Sequence, residues 1–244
     1  MLTDIMTIVW KESKEFIHGS SRAGSVGRVV FPIALAGILI PWRTSRAYVT
    51  GATALLEMFW ILPMVAVSLT VDAVAGERER HTLESLLATR LSDQAILFGK
   101  LTASVLYAWG MMLASLVVGL VTVNVRRGRG TLLLFSPAYT ATLVIVSLLA
   151  SIFVCGIAVL VSVRAPTVRQ AAQTFGYGST AVIFAAVFGF QALPARWLIA
   201  LEHLLVGTSR GRTELVGGLI LVALDLVVLA ASRQRFQRAR LILN

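Results

Sequence analysis

Between Pro137 and Val163 the sequence runs without a charged side chain, PAYTATLVIVSLLASIFVCGIAVLVSV. About 20 apolar residues are enough to cross the ~30 Å hydrocarbon core of a bilayer. A backbone exposed to lipid must satisfy its own hydrogen bonds, so such a run is a helix. Further apolar runs lie at 50–75, 95–123, 170–193 and 214–232, and a shorter one at 26–41 contains Pro32. The expected fold is an all-α integral membrane protein with six transmembrane helices. Only 14% of the residues are charged and 57% are hydrophobic, whereas soluble domains carry about 25% charged residues. A soluble helical protein of this length would lack the polar surface it needs.

The segment 3–20 is of another kind. Ile5, Ile8, Val9, Trp10, Phe16 and Ile17 recur near helical spacing, and Lys11, Glu12, Lys14 and Glu15 fill the intervals. This pattern predicts an amphipathic helix lying in the membrane interface, with Trp10 at headgroup level. With six spans both termini share one side. The loops on that side hold 14 of the 22 Lys and Arg residues and the opposite loops hold 8, which predicts cytoplasmic termini. The net charge of +10 then reflects loops facing anionic lipid rather than a nucleic-acid partner. Pro194 opens an amphipathic stretch too short to span, read as an external interfacial or re-entrant helix between spans five and six.

No cofactor is expected in the chain. The three histidines, at 18, 81 and 203, fall in different loops, so they suggest no metal site. Cys155 lies inside an apolar run and reads as a small buried hydrophobe. Gly99-Lys100 lacks the upstream glycine of a phosphate loop, because position 94 is Gln94.

The polar stretch 77–91, ERERHTLESLLATRL, interrupts this oily chain between the second and third spans. Leu83, Leu86 and Leu87 fall at i, i+3 and i+4 and make one apolar face of a short helix beginning near Thr82. Glu84 lies off that face. Glu77, Arg78, Glu79 and Arg80 stand at its entrance. Ser92 is placed to cap the next helix, and Asp93 sits where an acid complements the helix dipole.

These residues resemble a motif of ABC-2-type transporter permeases: an acidic-basic run, a Thr-Leu-Glu-x-Leu-Leu helix, and a Gly-Lys that opens the third span. The match is carried by Glu77, Arg78, Glu79, Thr82, Leu83, Glu84, Leu86, Leu87, Thr89, Ser92, Gly99 and Lys100. His81 stands where Gly is usual and Arg90 where Pro is usual, changes that favour a more continuous helix. The 10–22 stretch is similar to the family's interfacial helix, and 161–173 is similar to its link between spans four and five. The resemblance implies a half-transporter whose pathway is formed with a second permease copy. It also implies two separate ATPase subunits on the cytoplasmic side of a prokaryotic plasma (inner) membrane. ATP and magnesium would belong to those subunits. The helix at 82–88 would be the coupling helix, with Glu77 to Arg80, Thr82, Leu83, Glu84, Leu86 and Leu87 contacting the ATPase.

Acids inside apolar spans are costly, by about 2.5–3.5 kcal/mol on insertion scales, and face protein or water. Glu57 and Asp225 are therefore candidates to line a pathway, or to bond a neighbouring helix. Gln173 and Tyr177, with Gly176 and Gly178, make a polar, small-residue strip on the fifth span that suits either close helix packing or a pathway at a dimer interface. An ion-driven secondary transporter would predict an internal repeat with paired broken helices. A polytopic membrane enzyme would predict clustered His, Asp or Glu at one membrane face. The sequence displays neither pattern.

Overall fold

A computed structural model describes residues 2–18, 22–50, 53–80, 82, 91–127, 132–192, 194 and 210–235. Among these residues the chain is helical and contains no strand. The elements are α1 (Leu2–His18), α2 (Arg22–Ala34), α3 (Ile40–Thr44), α4 (Arg46–Thr50), α5 (Thr53–Ala66), α6 (Glu77–Glu79), α7 (Asp93–Arg127), α8 (Pro137–Ser162), α9 (Val168–Ala192) and α10 (Arg210–Arg235). A π-helical turn, Leu35–Leu39, joins α2 to α3, and a longer one, Val67–Gly76, joins α5 to α6.

Four stretches are long and apolar enough to cross a membrane: Thr53–Glu79, Asp93–Arg126, Pro137–Ser162 and Leu215–Arg235. Val29–Thr44 is apolar but shorter, and α9 is helical over 25 residues without joining those four. The protein is thus a multi-pass helical membrane protein.

Local chemistry explains where the helices start. Ser136 is extended (φ −63°, ψ 148°), and its hydroxyl accepts from the Tyr139 N–H while Pro137 opens α8. The Ser92 hydroxyl accepts from the Ala95 N–H at 3.2 Å, with Asp93 in the first turn of α7. Pro32 and Pro63 lie inside α2 and α5, as membrane helices tolerate when neighbours occupy the freed backbone groups. Asn124 pins the chain between α7 and α8 by donating to the Leu120 and Leu133 carbonyls and accepting from the Leu133 N–H.

The core lies among α5, α7 and α8, with Ile61, Leu62, Ile96, Met112 and Leu143 almost fully buried. Two close approaches require glycine. A methyl group at Gly37 would come within 2.8 Å of Val118, and one at Gly99 within 2.7 Å of Ile8. The first lets the π turn lie against α7, where Thr122 donates to the Gly37 carbonyl at 2.7 Å. The second seats α1 on the start of α7. Trp10 projects outward, 63% exposed, with the Lys14 ammonium over its ring at 3.8 Å.

Candidate functional site

The 77–91 loop is rooted in a buried charge cluster. The π segment before α6 delivers Glu77 next to the first turns of α7, and Gly99 allows α1 to close over both. Lys100 is 2% exposed at its side chain, and its ammonium contacts Glu12 at 2.7 Å and Glu77 at 2.9 Å. It also donates to the Ala73 carbonyl at 2.7 Å. Lys11 adds a second ammonium, 2.9 Å from the same Glu77 oxygen and 3.4 Å from Glu15. The other Glu77 oxygen, Oε2, is buried without a hydrogen-bond partner. Two cations thus face two buried acids across three elements. A charge stays in such a place only when paired and hydrogen-bonded.

Burial works against charge on the Lys11 ammonium. The Glu77 hydrogen bond and the carboxylates of Glu77, Glu15 and Glu12 outweigh that burial and raise its pKa. For Glu12 burial dominates and pushes the carboxyl above its ordinary range, while Lys100 pulls the other way. The 2.7 Å contact shows Lys100 to be its partner all the same.

The next residues tie the loop root to the other half of the bundle. Arg78 donates to the Val163 carbonyl at 3.1 Å, beyond the end of α8. Glu79 accepts from the Val168 N–H at 3.0 Å, the first residue of α9, where a carboxylate complements the helix dipole. Arg80 pairs with Asp72 at 3.2 Å, an exposed contact of small energetic weight. The Thr82 N–H returns to the Glu77 carbonyl at 2.9 Å. Glu77 is therefore buried and engaged within the chain, whereas Glu79, Arg80 and Thr82 are exposed. Leu83, Glu84, Leu86 and Leu87, with His81 and Arg90, lie outside the described residues.

Glu57, Asp225, Gln173 and Tyr177 lie in different surroundings. Glu57 is 2% exposed on α5 and faces Tyr48, yet neither its carboxylate oxygens nor the tyrosine hydroxyl completes a hydrogen bond of normal geometry. The Tyr48 ring packs over Gly119 and tilts against Phe135 at 5.8 Å. Asp225 is 4% exposed on α10, again with both oxygens unpartnered. Gln173 and Tyr177 instead lie on an exposed face of α9, Tyr177 at 73%. Among the described residues, no group of three His, Cys, Asp or Glu side chains could hold a metal ion.

Sequence reasoning read Glu77 as an ATPase contact at the loop entrance and missed Glu12, Lys11 and Lys100 as its surroundings. The available signal was Lys100, a lone cation one turn into an apolar span, which had to find an acid.

Four helices long and apolar enough to cross a membrane define a polytopic membrane protein. The family model described as ABC-2 family transporter protein matches residues 6–206, and the chain belongs to that family. It is accordingly a membrane permease component of an ABC transporter. No curated protein matches the chain.

Proposed function

We propose that the chain works as an export-like ABC-2 half-transporter that crosses a prokaryotic plasma membrane six times, with both termini in the cytoplasm. In this reading it pairs with a second copy, and two ATPase subunits, which carry ATP and magnesium, dock on the 77–91 loop. The observation that carries it is the loop root. Glu77, Arg78 and Glu79 bond to α1, α7, the end of α8 and the start of α9. A push on the loop would reach four elements at once, which is what a coupling device needs. The leucine face of Leu83, Leu86 and Leu87 would supply the apolar anchor, and Glu79, Arg80 and Thr82 a polar rim. The exposed polar strip of α9, with Gln173 and Tyr177, suits a second copy better than lipid.

The test is capture of the ATPase by the tagged permease in detergent. Replacing Leu83 and Leu86 by Asp should release the ATPase while the permease stays inserted and folded. Retained capture by that variant would count against the docking role. A wild-type complex that contains no ATPase and hydrolyses no ATP would sink the reading as a whole. Disulfide trapping between copies through cysteines on the first and fifth spans tests the pairing; a single permease copy in the intact complex refutes it.

A further inference from the structure

The far end of the bundle carries cations that have no acid partner among the described residues. Lys100 and Arg126 lie on one helix, α7, roughly 39 Å apart at about 1.5 Å per residue. That exceeds the hydrocarbon thickness, so Arg126 sits at the membrane face opposite the buried cluster. Its guanidinium lies over the Trp42 ring at 5.4 Å and donates to the Ser45 hydroxyl at 2.9 Å. Ser45 has φ 47° and ψ −108°, a left-handed backbone that costs a non-glycine residue about 1–3 kcal/mol. This turn separates α3 from α4 and sets Arg43 and Arg46, both exposed, on either side of the Arg126 contact. None of the three arginines forms an ion pair among the described residues.

Apolar surface runs from this cluster toward the middle of the membrane. Val121 and Val125 stand one turn apart on α7, 56% and 70% exposed, and lead up to Arg126. Ile38 and Leu39 are half exposed on the π turn that Thr122 ties to α7, and they lead up to Trp42. Trp42 is itself 50% exposed, as suits a side chain at headgroup level. The surface is thus apolar for roughly 7 Å of depth and cationic at its rim.

The geometry points to a phospholipid-binding surface here. The Arg43, Arg46 and Arg126 guanidiniums hold an anionic headgroup phosphate, and the acyl chains lie along the valine and leucine strips. Cations on neighbouring positions repel unless an anion lies among them, and none of the three arginines has an acid partner among the described residues. Guanidinium groups suit phosphate oxygens because their donors are planar and paired. The lipid is preferred to a soluble phosphate because the cluster is continuous with the apolar strips.

Native mass spectrometry of the purified full chain with phosphatidylglycerol tests the assignment, with helix content and elution volume as folding checks. Wild type should retain the lipid. Replacing all three arginines by Gln should weaken retention by roughly tenfold or more, the scale of charge-assisted hydrogen bonds. Arg126→Lys should fall between the two, because it keeps the charge but loses the planar fork. Arg169→Gln, an exposed arginine at the start of α9, should bind as wild type does. Equal retention by wild type and the folded triple variant would overturn the assignment. So would displacement of the lipid by inorganic phosphate, which would make the cluster a site for soluble anions. If the triple variant does not fold, Arg126→Lys decides: retention equal to wild type overturns the assignment.

Discussion

Replacing Lys100 by Met keeps most of the side-chain volume and removes the charge that Glu12 and Glu77 share. At an effective dielectric near 20, a unit pair 2.7 to 2.9 Å apart attracts by roughly 6 kcal/mol, and Lys100 makes two such contacts. Desolvation of an ammonium only 2% exposed offsets much of this. What remains measurable is the penalty of the buried Glu12 carboxylate left without its cation, about 3–5 kcal/mol, because Glu77 keeps Lys11 at 2.9 Å. For a chain of this size that corresponds to a melting temperature lower by roughly 6–20 °C. The assay is loss of helical circular dichroism on heating in detergent, together with amide exchange over α1. In the variant, α1 should exchange faster while the amides of α8 stay protected. Adding Glu12→Gln should recover part of the loss, because the stranded charge is gone. A melting temperature within about 2 °C of wild type, with α1 amides as protected as before, would refute the reasoning.

Lys11 binds its proton more tightly in the folded chain than in the unfolded one. Its contribution is complete below its ordinary pKa of 10.5 and is lost as the pH rises through the higher folded value. Stability followed from pH 9 to 12 should decline at the alkaline end, less steeply in Lys11→Arg; identical profiles would count against it. Gly99→Ala forces a methyl onto Ile8 and should cost about 1–3 kcal/mol, more than the helix propensity it gains. Gly110→Ala meets nothing within 4 Å and should be neutral or stabilising in the same melting assay. Glu57→Leu removes two buried, unpartnered oxygens and should raise stability by about 1–3 kcal/mol; a lower melting temperature would show that the carboxyl has a partner.

Much of the architecture was legible because lipid forbids alternatives. An uncharged run such as 137–163 can only be a helix in a membrane. The weaker runs were less legible. The 26–41 run holds Pro32 and Gly37, and the structure continues it through a π turn to Thr44. Its length therefore depends on packing against α7, which no local pattern encodes. The charged entrance to the loop was visible from composition, and the family from Thr82-Leu83-Glu84 with Gly99-Lys100. The inward engagement of Glu77 was not visible, because Glu12, Glu77 and Lys100 are far apart in the chain and only folding brings them together. Glu57 and Asp225 looked alike in sequence and are alike in being buried and unpartnered, while Gln173 and Tyr177 face outward.

The pairing of Glu12 with Lys100 spans 88 residues, and this has a consequence for biogenesis. Synthesis proceeds at roughly 5–20 residues per second, so α1 leaves the ribosome some 4–18 s before its main counter-ion is made. During that interval Glu12 and Lys11 must stay hydrated at the membrane surface, and α1 must persist as a free amphipathic helix. Insertion of α7 then delivers Lys100 and ends the wait. Glu12 thus meets two environments in sequence, water first and a closed protein interior afterwards, while Lys11 and Glu15 keep part of their solvent contact, and the segment's composition has to suit both.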